Sequence, residues 1–201
     1  MDKKLIGITG AYCAGKNHVS SLLEKKGFPA LDLDKLGHKA IEAEKDRILK
    51  RFGRDILADN MGADTVIDRR KLGQKVFGNI GELTALEEIV HPWVNKETML
   101  WIKARNEDVC LINAALLHRS SAFEHLDLII IVEAPFLLRL IRARKRDKLP
   151  WLVLLRRLGS QKNFDSQYLR EKTDIYRVSN YSACFKPVSK LENQIDKILS
   201  L

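Results

Sequence analysis

The stretch Lys4-Leu5-Ile6-Gly7-Ile8-Thr9-Gly10-Ala11-Tyr12-Cys13-Ala14-Gly15-Lys16-Asn17-His18 carries the decisive signal of this chain. Lys4 to Thr9 is a short apolar run bounded by Gly10, the pattern of a buried strand. From Lys16 to Lys26 the spacing of Val19, Leu22 and Leu23 marks one face of a helix, and Gly27 stops it. Between the two, Gly10 to Lys16 fits G-x-x-x-x-G-K, the phosphate-binding loop. Chance alone produces that pattern in about 6% of chains of this length, and its place between a strand and a helix lowers the odds further. The competing reading, a glycine-rich turn carrying an exposed lysine, is the weaker one.

The chemistry needs these residue types. Glycines permit a tight turn whose backbone N–H groups converge on phosphate oxygens, and the helix N-terminus adds positive potential. Lys16 then reaches the β- and γ-phosphates. The nucleotide-binding set read from the loop is Gly10, Ala11, Tyr12, Cys13, Ala14, Gly15, Lys16, Asn17 and His18, and the cofactor it implies is ATP. Asn17 stands where Ser or Thr normally gives its hydroxyl to Mg²⁺. Its amide oxygen is also a hard ligand, so Asn17 is the candidate metal ligand and Mg²⁺ use is expected to survive in altered form. Cys13, in a phosphate loop at a helix N-terminus, is expected to have a depressed pKa and to block ATP when oxidised or alkylated. The alternative is a small residue that fits.

Further along, Phe28 to Leu33 reads as a second strand, and Asp34 to Arg51 as a helix closed by Gly53. Leu57 to Asp68 is polar and turn-rich. Helices are expected over Arg69 to Phe77 and Glu82 to Arg105, with Pro92 kinking or dividing the second. Val109 to Ala114 and Asp127 to Glu133 are the clearest later strands. Pro135 opens a helix that turns basic by Arg146, followed by helices at Trp151 to Gln161 and Asp165 to Asp174. A last strand is expected near Tyr176 to Ser179 and a last helix at Val188 to Leu199. Short buried strands alternating with helices predict an α/β fold with a parallel sheet. One domain is expected, with its core at 1–52, 107–135 and 174–201, a helical region at 53–106 and a lid at 136–173.

The 201 residues are 45% hydrophobic and 30% charged, ordinary for a globular protein. No apolar run approaches the roughly 20 residues of a membrane span, and the N-terminal segment is too short for a signal peptide. Cys13, Cys110 and Cys184 form no Cys-x-x-Cys pair, and the five histidines show no metal-ligand spacing. A reducing, cytoplasmic setting is expected. The net charge of +9 favours anionic partners without choosing among them.

Leu31-Asp32-Leu33-Asp34 ends the second predicted strand, where parallel sheets form their ligand crevice. Two acids there can divide the labour, one taking the proton of an acceptor hydroxyl and the other orienting water around a metal. Asp34 reads equally well as the cap of the next helix. Beyond this, Gly-Ile-Thr-Gly with the loop, then Leu-Asp-Leu-Asp one helix later, resembles the opening of the dephospho-coenzyme A kinases. The middle is similar too: Asp55-Ile56-Leu57, Ile67-Asp68-Arg69-Arg70-Lys71-Leu72, Val76-Phe77, and Leu86-Glu87-Glu88-Ile89-Val90-His91-Pro92. Ala115-Leu116-Leu117 resembles that family's Pro-Leu-Leu motif. Arg142 and Arg146-Asp147, then Arg157 through Gln161, look like its lid and following helix, and Val178-Ser179-Asn180 like its short strand ending in Asn. The likeness covers nearly the whole chain.

The resemblance implies a five-stranded parallel P-loop kinase fold with a helical acceptor-binding insertion and a helical lid. It implies transfer of the γ-phosphate of ATP to the ribose 3′-hydroxyl of dephospho-coenzyme A, giving coenzyme A and ADP. It turns Asp34 towards the base role, with Lys16 and Arg146 as its catalytic partners. Arg142 and Asn180 join the nucleotide side, and Asp32, Asp34, His91 and Leu116 the acceptor side. His91 reads as a helix-breaking structural residue on sequence alone, and most of the basic cluster from Arg139 to Lys148 as a solvated face. Expected partners are ATP, Mg²⁺ and dephospho-coenzyme A, with no nucleic acid and no membrane, on a monomer or weak homo-oligomer. The chain departs from the family at Asn17, at Asn113 (often an acid) and at Arg119 (often Glu). The alternatives are a P-loop kinase for another alcohol or nucleoside, and a nucleotide- or RNA-binding protein that has lost catalysis.

Overall fold

The apolar runs become strands of one sheet in the computed structural model, which describes residues 3–59, 66–160, 168, 173–181 and 189–199. The strands are β1 Lys4–Gly10, β2 Ala30–Asp32, β3 Val109–Asn113, β4 Leu128–Glu133 and β5 Asp174–Ser179. They lie in the order β2-β3-β1-β4-β5 with every pairing parallel, as the sequence led us to expect. β1 and β4 are buried along nearly their whole length, which is why they read as unbroken apolar runs. From β1 the chain runs to the edge strand β2, returns to β3 beside β1, and then crosses to β4 on the other side. The carboxyl ends of β1 and β3 therefore flank a reversal of strand order, where open parallel sheets form their ligand crevices.

The helices are α1 Lys16–Lys25, α2 Leu33–Ala43, α3 Lys45–Phe52, α4 Arg69–Val76, α5 Ile80–Lys103, α6 Phe136–Asp147, α7 Trp151–Gly159 and α8 Ser189–Leu199. The chain divides into two compact units, Met1–Asp32 with Arg105–Leu201, and Leu33–Ala104. The first is built on the sheet. Ile6, Ile8, Val19, Leu23, Ile130 and Val178 share its core with Leu191, Ile195 and Ile198 of α8. The second is helical, around Ile48, Phe52, Ile56, Ile67, Leu72, Val76 and Ile89. It takes in α2 and α3, which the sequence grouped with the sheet, because both helices pack on α5.

Several boundaries differ from expectation. The helix expected from Asp34 to Arg51 breaks at Glu44, whose φ of −99° and ψ of 19° leave the helical range, and α3 beyond the break buries Ile48 and Phe52. β2 is shorter than Phe28 to Leu33 because Leu33 already belongs to α2. Pro92 does not divide α5. Proline removes one N–H from the ladder, but Ile89 and Val94 on either side are buried and hold the helix to its unit. α5 starts at Ile80 because the Asn79 side chain accepts from the N–H groups of Gly81 and Glu82. Most of the helix expected over Asp165 to Asp174 lies outside the described residues, and Asp174 itself opens β5. Of the turn-rich stretch, 60–65 lie outside them as well; its ends meet in an antiparallel bridge between Leu57 and Ile67.

Behind β1 a polar knot gathers around the fully buried Tyr168. Its hydroxyl lies 3.2 Å from Thr9 Oγ1, 3.2 Å from His118 Nδ1 and 3.3 Å from the Ala115 carbonyl, and its ring meets His118 and Phe123 edge-on. Burial, helped by the Arg119 charge, pushes the His118 pKa below its ordinary value. On unfolding, His118 regains a pKa of about 6.5, so below that point the unfolded chain takes up a proton that the folded chain refuses. This contribution to stability is whole above the unfolded pKa and shrinks as pH falls through it. The melting temperature should therefore drop from about pH 7 towards pH 5, and drop less in His118→Gln; equal slopes in the two proteins would rule out His118 as the source.

Candidate active site

The loop from Ala11 to Gly15 joins β1 to α1 and is braced from one side. Ala14 N–H donates to the Ala11 carbonyl at 2.9 Å. Arg139 Nε donates to the Tyr12 carbonyl at 2.8 Å, and Arg142 Nη1 to the Ala14 carbonyl at 3.0 Å and the Cys13 carbonyl at 3.5 Å. Asn180 Nδ2 reaches the Ala14 carbonyl at 3.0 Å, while Arg142 Nη2 ties the Asn180 carbonyl at 3.2 Å. With these carbonyls held, the peptide planes of the loop are fixed, as a backbone anion cradle requires. Gly15 sits at φ 99°, and a Cβ there would lie 2.2 Å from Asn180 Nδ2. Gly15→Ala is expected to weaken nucleotide binding by about tenfold or more with the fold intact, as read by calorimetry beside a thermal melt. Unchanged affinity would mean that the loop tolerates displacement of its brace.

At the start of α1 three polar side chains close a triangle. Lys16 Nζ donates to Asn17 Oδ1 at 3.0 Å and to Asn113 Oδ1 at 3.1 Å, and Asn113 Nδ2 donates to Asn17 Oδ1 at 3.1 Å. Asn113 ends β3 and is 2% exposed. Sheet register sets it between Ile8 of β1 and Asp32 of β2, so the structure brings together two positions that the sequence marked only as separate departures. The donor set does not fit a protein-held Mg²⁺. Phosphate-loop enzymes hold that ion with a hydroxyl and a carboxylate. Here both positions are carboxamides whose oxygens face an ammonium group, and among the described residues no group of three His, Cys, Asp or Glu side chains gathers.

Arg146 takes a different place from Arg142. Its Nε and Nη2 donate to Asp147 Oδ1 and Oδ2 at 2.7 and 3.2 Å, and its guanidinium lies 4.9 Å from the Tyr12 ring centre. The Tyr12 hydroxyl donates to Asp147 Oδ2. Arg146 in turn holds the Asp147 carboxyl below the usual carboxylate range. Sequence reasoning missed Arg139 as a brace; its i, i+3 spacing from Arg142 on α6 was the available signal. The expectation for Cys13 is corrected: burial, the largest influence, pushes its thiol up in spite of the nearby arginines, the opposite of the expected depression.

On the acceptor side, Asp32 is the last residue of β2 and Asp34 the second of α2, exposed on its first turn. Asp34 thus lies within the first turn of the helix and is not the residue before it. His91 is half-buried on α5, and Leu116, 52% exposed, precedes the 3-10 turn Leu117–Arg119. The helical unit holds an open cavity of about 940 Å³ lined by His38, Lys39, Glu42, Ala58, Val66, Ile67, Asp68, Arg69 and Arg70. His91 is not among these residues. Asp68, Arg69 and Arg70 carry part of the family likeness in sequence, but spacing alone gave them no place in the site. Asp68 accepts from the N–H groups of Arg70 and Lys71 at 2.8 and 3.4 Å and so starts α4, on whose first turn Arg69 and Arg70 stand beside the cavity.

The chain is similar to known proteins along nearly its whole length. The family model of dephospho-CoA kinase matches residues 4–180. A dephospho-CoA kinase of Treponema denticola is 32% identical over 199 residues, 96% of this chain and 89% of its own length. The crystal structure of TT1252 from Thermus thermophilus superposes with a TM-score of 0.82 at 26% identity, over 100% of this chain and 98% of that one. The dephospho-CoA kinase of Campylobacter jejuni gives 0.67 at 25% identity, over 98% and 96%. With its phosphate loop, its parallel sheet and a match along nearly its whole length, the chain belongs to the dephospho-CoA kinase family.

Proposed function

We propose that this protein transfers the γ-phosphate of ATP to the ribose 3′-hydroxyl of dephospho-coenzyme A, the last step in making coenzyme A. The observation that carries the reading is the braced loop at the end of β1, with Lys16 at its exit, in a chain that matches the family from residue 4 to 180. Asp34 takes the proton of the 3′-hydroxyl, whose oxygen attacks the γ-phosphorus in line. The bond from that phosphorus to the bridging oxygen breaks, and ADP leaves with the electron pair. Lys16 and Arg146 offset the charge on the transferring group, and Asp32 supports the acceptor beside Asp34. Loop residues 10–18, with Arg142 and Asn180 behind them, hold the nucleotide.

The cavity in the helical unit suits the acceptor. Its volume is in the range of small-molecule sites, and His38, Lys39, Arg69 and Arg70 on its wall match a diphosphate-bearing ligand. His91 and Leu116 complete the acceptor set as the family likeness assigns them, and residues 136–173 act as the lid. The charge of +9 serves these anionic substrates, with no nucleic acid required. Among the described residues no helix is long and apolar enough to cross a membrane. Cytoplasm as the compartment, and a monomer or weak homo-oligomer as the working form, are part of the proposal. Mg²⁺ would enter as a companion of the triphosphate and not as an ion held by Asn17 or Asn113. A coupled ADP-release assay tests the reading: dephospho-coenzyme A should be consumed one for one with ATP, and turnover with other alcohols or nucleosides but not with dephospho-coenzyme A would overturn it.

A further inference from the structure

We propose that Asn17, held in place by the buried Asn113, acts with Lys16 as a neutral carboxamide clamp on the nucleotide's phosphates, so that nucleotide binding depends little on a divalent cation. The inference rests on reading the loop as a nucleotide site and goes beyond it. Its ground is the closed triangle of 3.0, 3.1 and 3.1 Å contacts among Lys16 Nζ, Asn17 and Asn113.

Three arguments lead from that geometry to the proposal. An ammonium group only donates, so the amide atoms facing Lys16 must be oxygens, and the amide orientation follows from chemistry. Both oxygens that would otherwise meet a cation are therefore engaged by a cation the protein already owns. Next, a carboxylate only accepts, whereas a carboxamide carries two N–H donors. Exchanging hydroxyl and carboxylate for two amides removes a surface suited to a metal: Asn113 Nδ2 holds Asn17 Oδ1, and the exposed Asn17 offers its own N–H donors to phosphate oxygens, which are acceptors. Last comes charge. A carboxylate at position 113 would offset the Lys16 ammonium and repel the triphosphate unless a metal stood between them. With a neutral, buried Asn113, the end of β3 adds no negative charge beside Lys16, and nothing on that strand requires a cation for neutralisation. Each replacement makes sense beside the other. An amide at only one position would leave the second group facing Lys16 without its partner.

The test is equilibrium binding of a non-hydrolysable ATP analogue in excess chelator and in excess Mg²⁺, with wild type, Asn113→Asp, and the double variant Asn17→Ser with Asn113→Asp. Thermal melts accompany each protein. Wild type should bind with dissociation constants within about threefold of each other in the two conditions. Asn113→Asp should lose about tenfold or more in chelator, and the double variant should gain a tenfold or greater dependence on Mg²⁺. If wild type loses tenfold or more of its affinity when Mg²⁺ is removed, the amides serve the metal and the proposal is wrong. The clamp is equally refuted if Asn113→Asp binds as tightly as wild type in chelator. Binding in neither condition would remove the nucleotide reading itself, an outcome distinct from strict metal dependence. Asn17→Ser alone, on the exposed first turn of α1, keeps the question answerable should the buried substitution unfold the protein: it should weaken binding in chelator more than in Mg²⁺, and equal losses in both would count against the clamp.

Discussion

Asp34→Asn is expected to lower kcat by roughly 10²–10⁴-fold, the usual worth of a general base, while the ATP dissociation constant moves by no more than about twofold. The substitution keeps shape and size and removes the ability to accept a proton. Asp34 is the second residue of α2 and exposed, so core packing does not explain the position, and a thermal melt beside the kinetics separates lost catalysis from lost stability. Asp32→Asn offers the contrast. Asp32 sits at the end of β2 in register with Asn113, and its role as a supporting neighbour predicts a smaller loss, about tenfold. Steady-state kinetics with saturating ATP and dephospho-coenzyme A would settle the order of the two. A rate for Asp34→Asn within tenfold of wild type, or a deeper loss at Asp32, would move the base role off Asp34.

The parts of this molecule that were legible in the sequence are those set by short-range spacing. Gly10, Gly15 and Lys16 announce the loop because a phosphate cradle is a local backbone device, and Leu128 to Val132 announces a central strand because burial on both faces leaves no polar positions. The loop's bracing was hidden because its donors lie more than 120 residues away on α6 and beyond β5. The same holds for the Asn17–Asn113 contact, which spans 96 residues and depends on the pairing of β1 with β3. Each asparagine alone reads as a lost ligand; only sheet register makes them a pair. Cys13 failed for another reason. A helix N-terminus and nearby arginines argue for a thiolate, but burial opposes it more strongly, and burial of a loop side chain cannot be read from its neighbours in sequence. The division of α2 from α3 at Glu44 was equally obscure, since Glu is an ordinary helix residue and the break reflects packing onto α5.

Arg146→Ala should reduce kcat by about 10³-fold, the scale set by arginines that meet the transferring phosphoryl group. The Arg146 guanidinium makes two hydrogen bonds to Asp147 and stacks over Tyr12 of the phosphate loop. That placement ties the end of α6 to the loop through a residue whose own hydroxyl reaches Asp147. A structural latch and a phosphate contact make different predictions for the neighbours. If Arg146 only latched α6 to the loop, Asp147→Asn and Tyr12→Phe would damage catalysis about as much as Arg146→Ala, since each breaks the same cluster. If Arg146 meets the phosphate, both neighbours should cost less than about tenfold, because the arginine keeps its charge and reach. Arg146→Lys separates charge from geometry. Lysine lacks the planar fork and stacks poorly on tyrosine, so it should recover only part of the loss. A fall in kcat shared equally by all three substitutions, or a near-normal kcat with only a raised KM for ATP, would make Arg146 a binding and latching residue, leaving Lys16 to stabilise the transferring group.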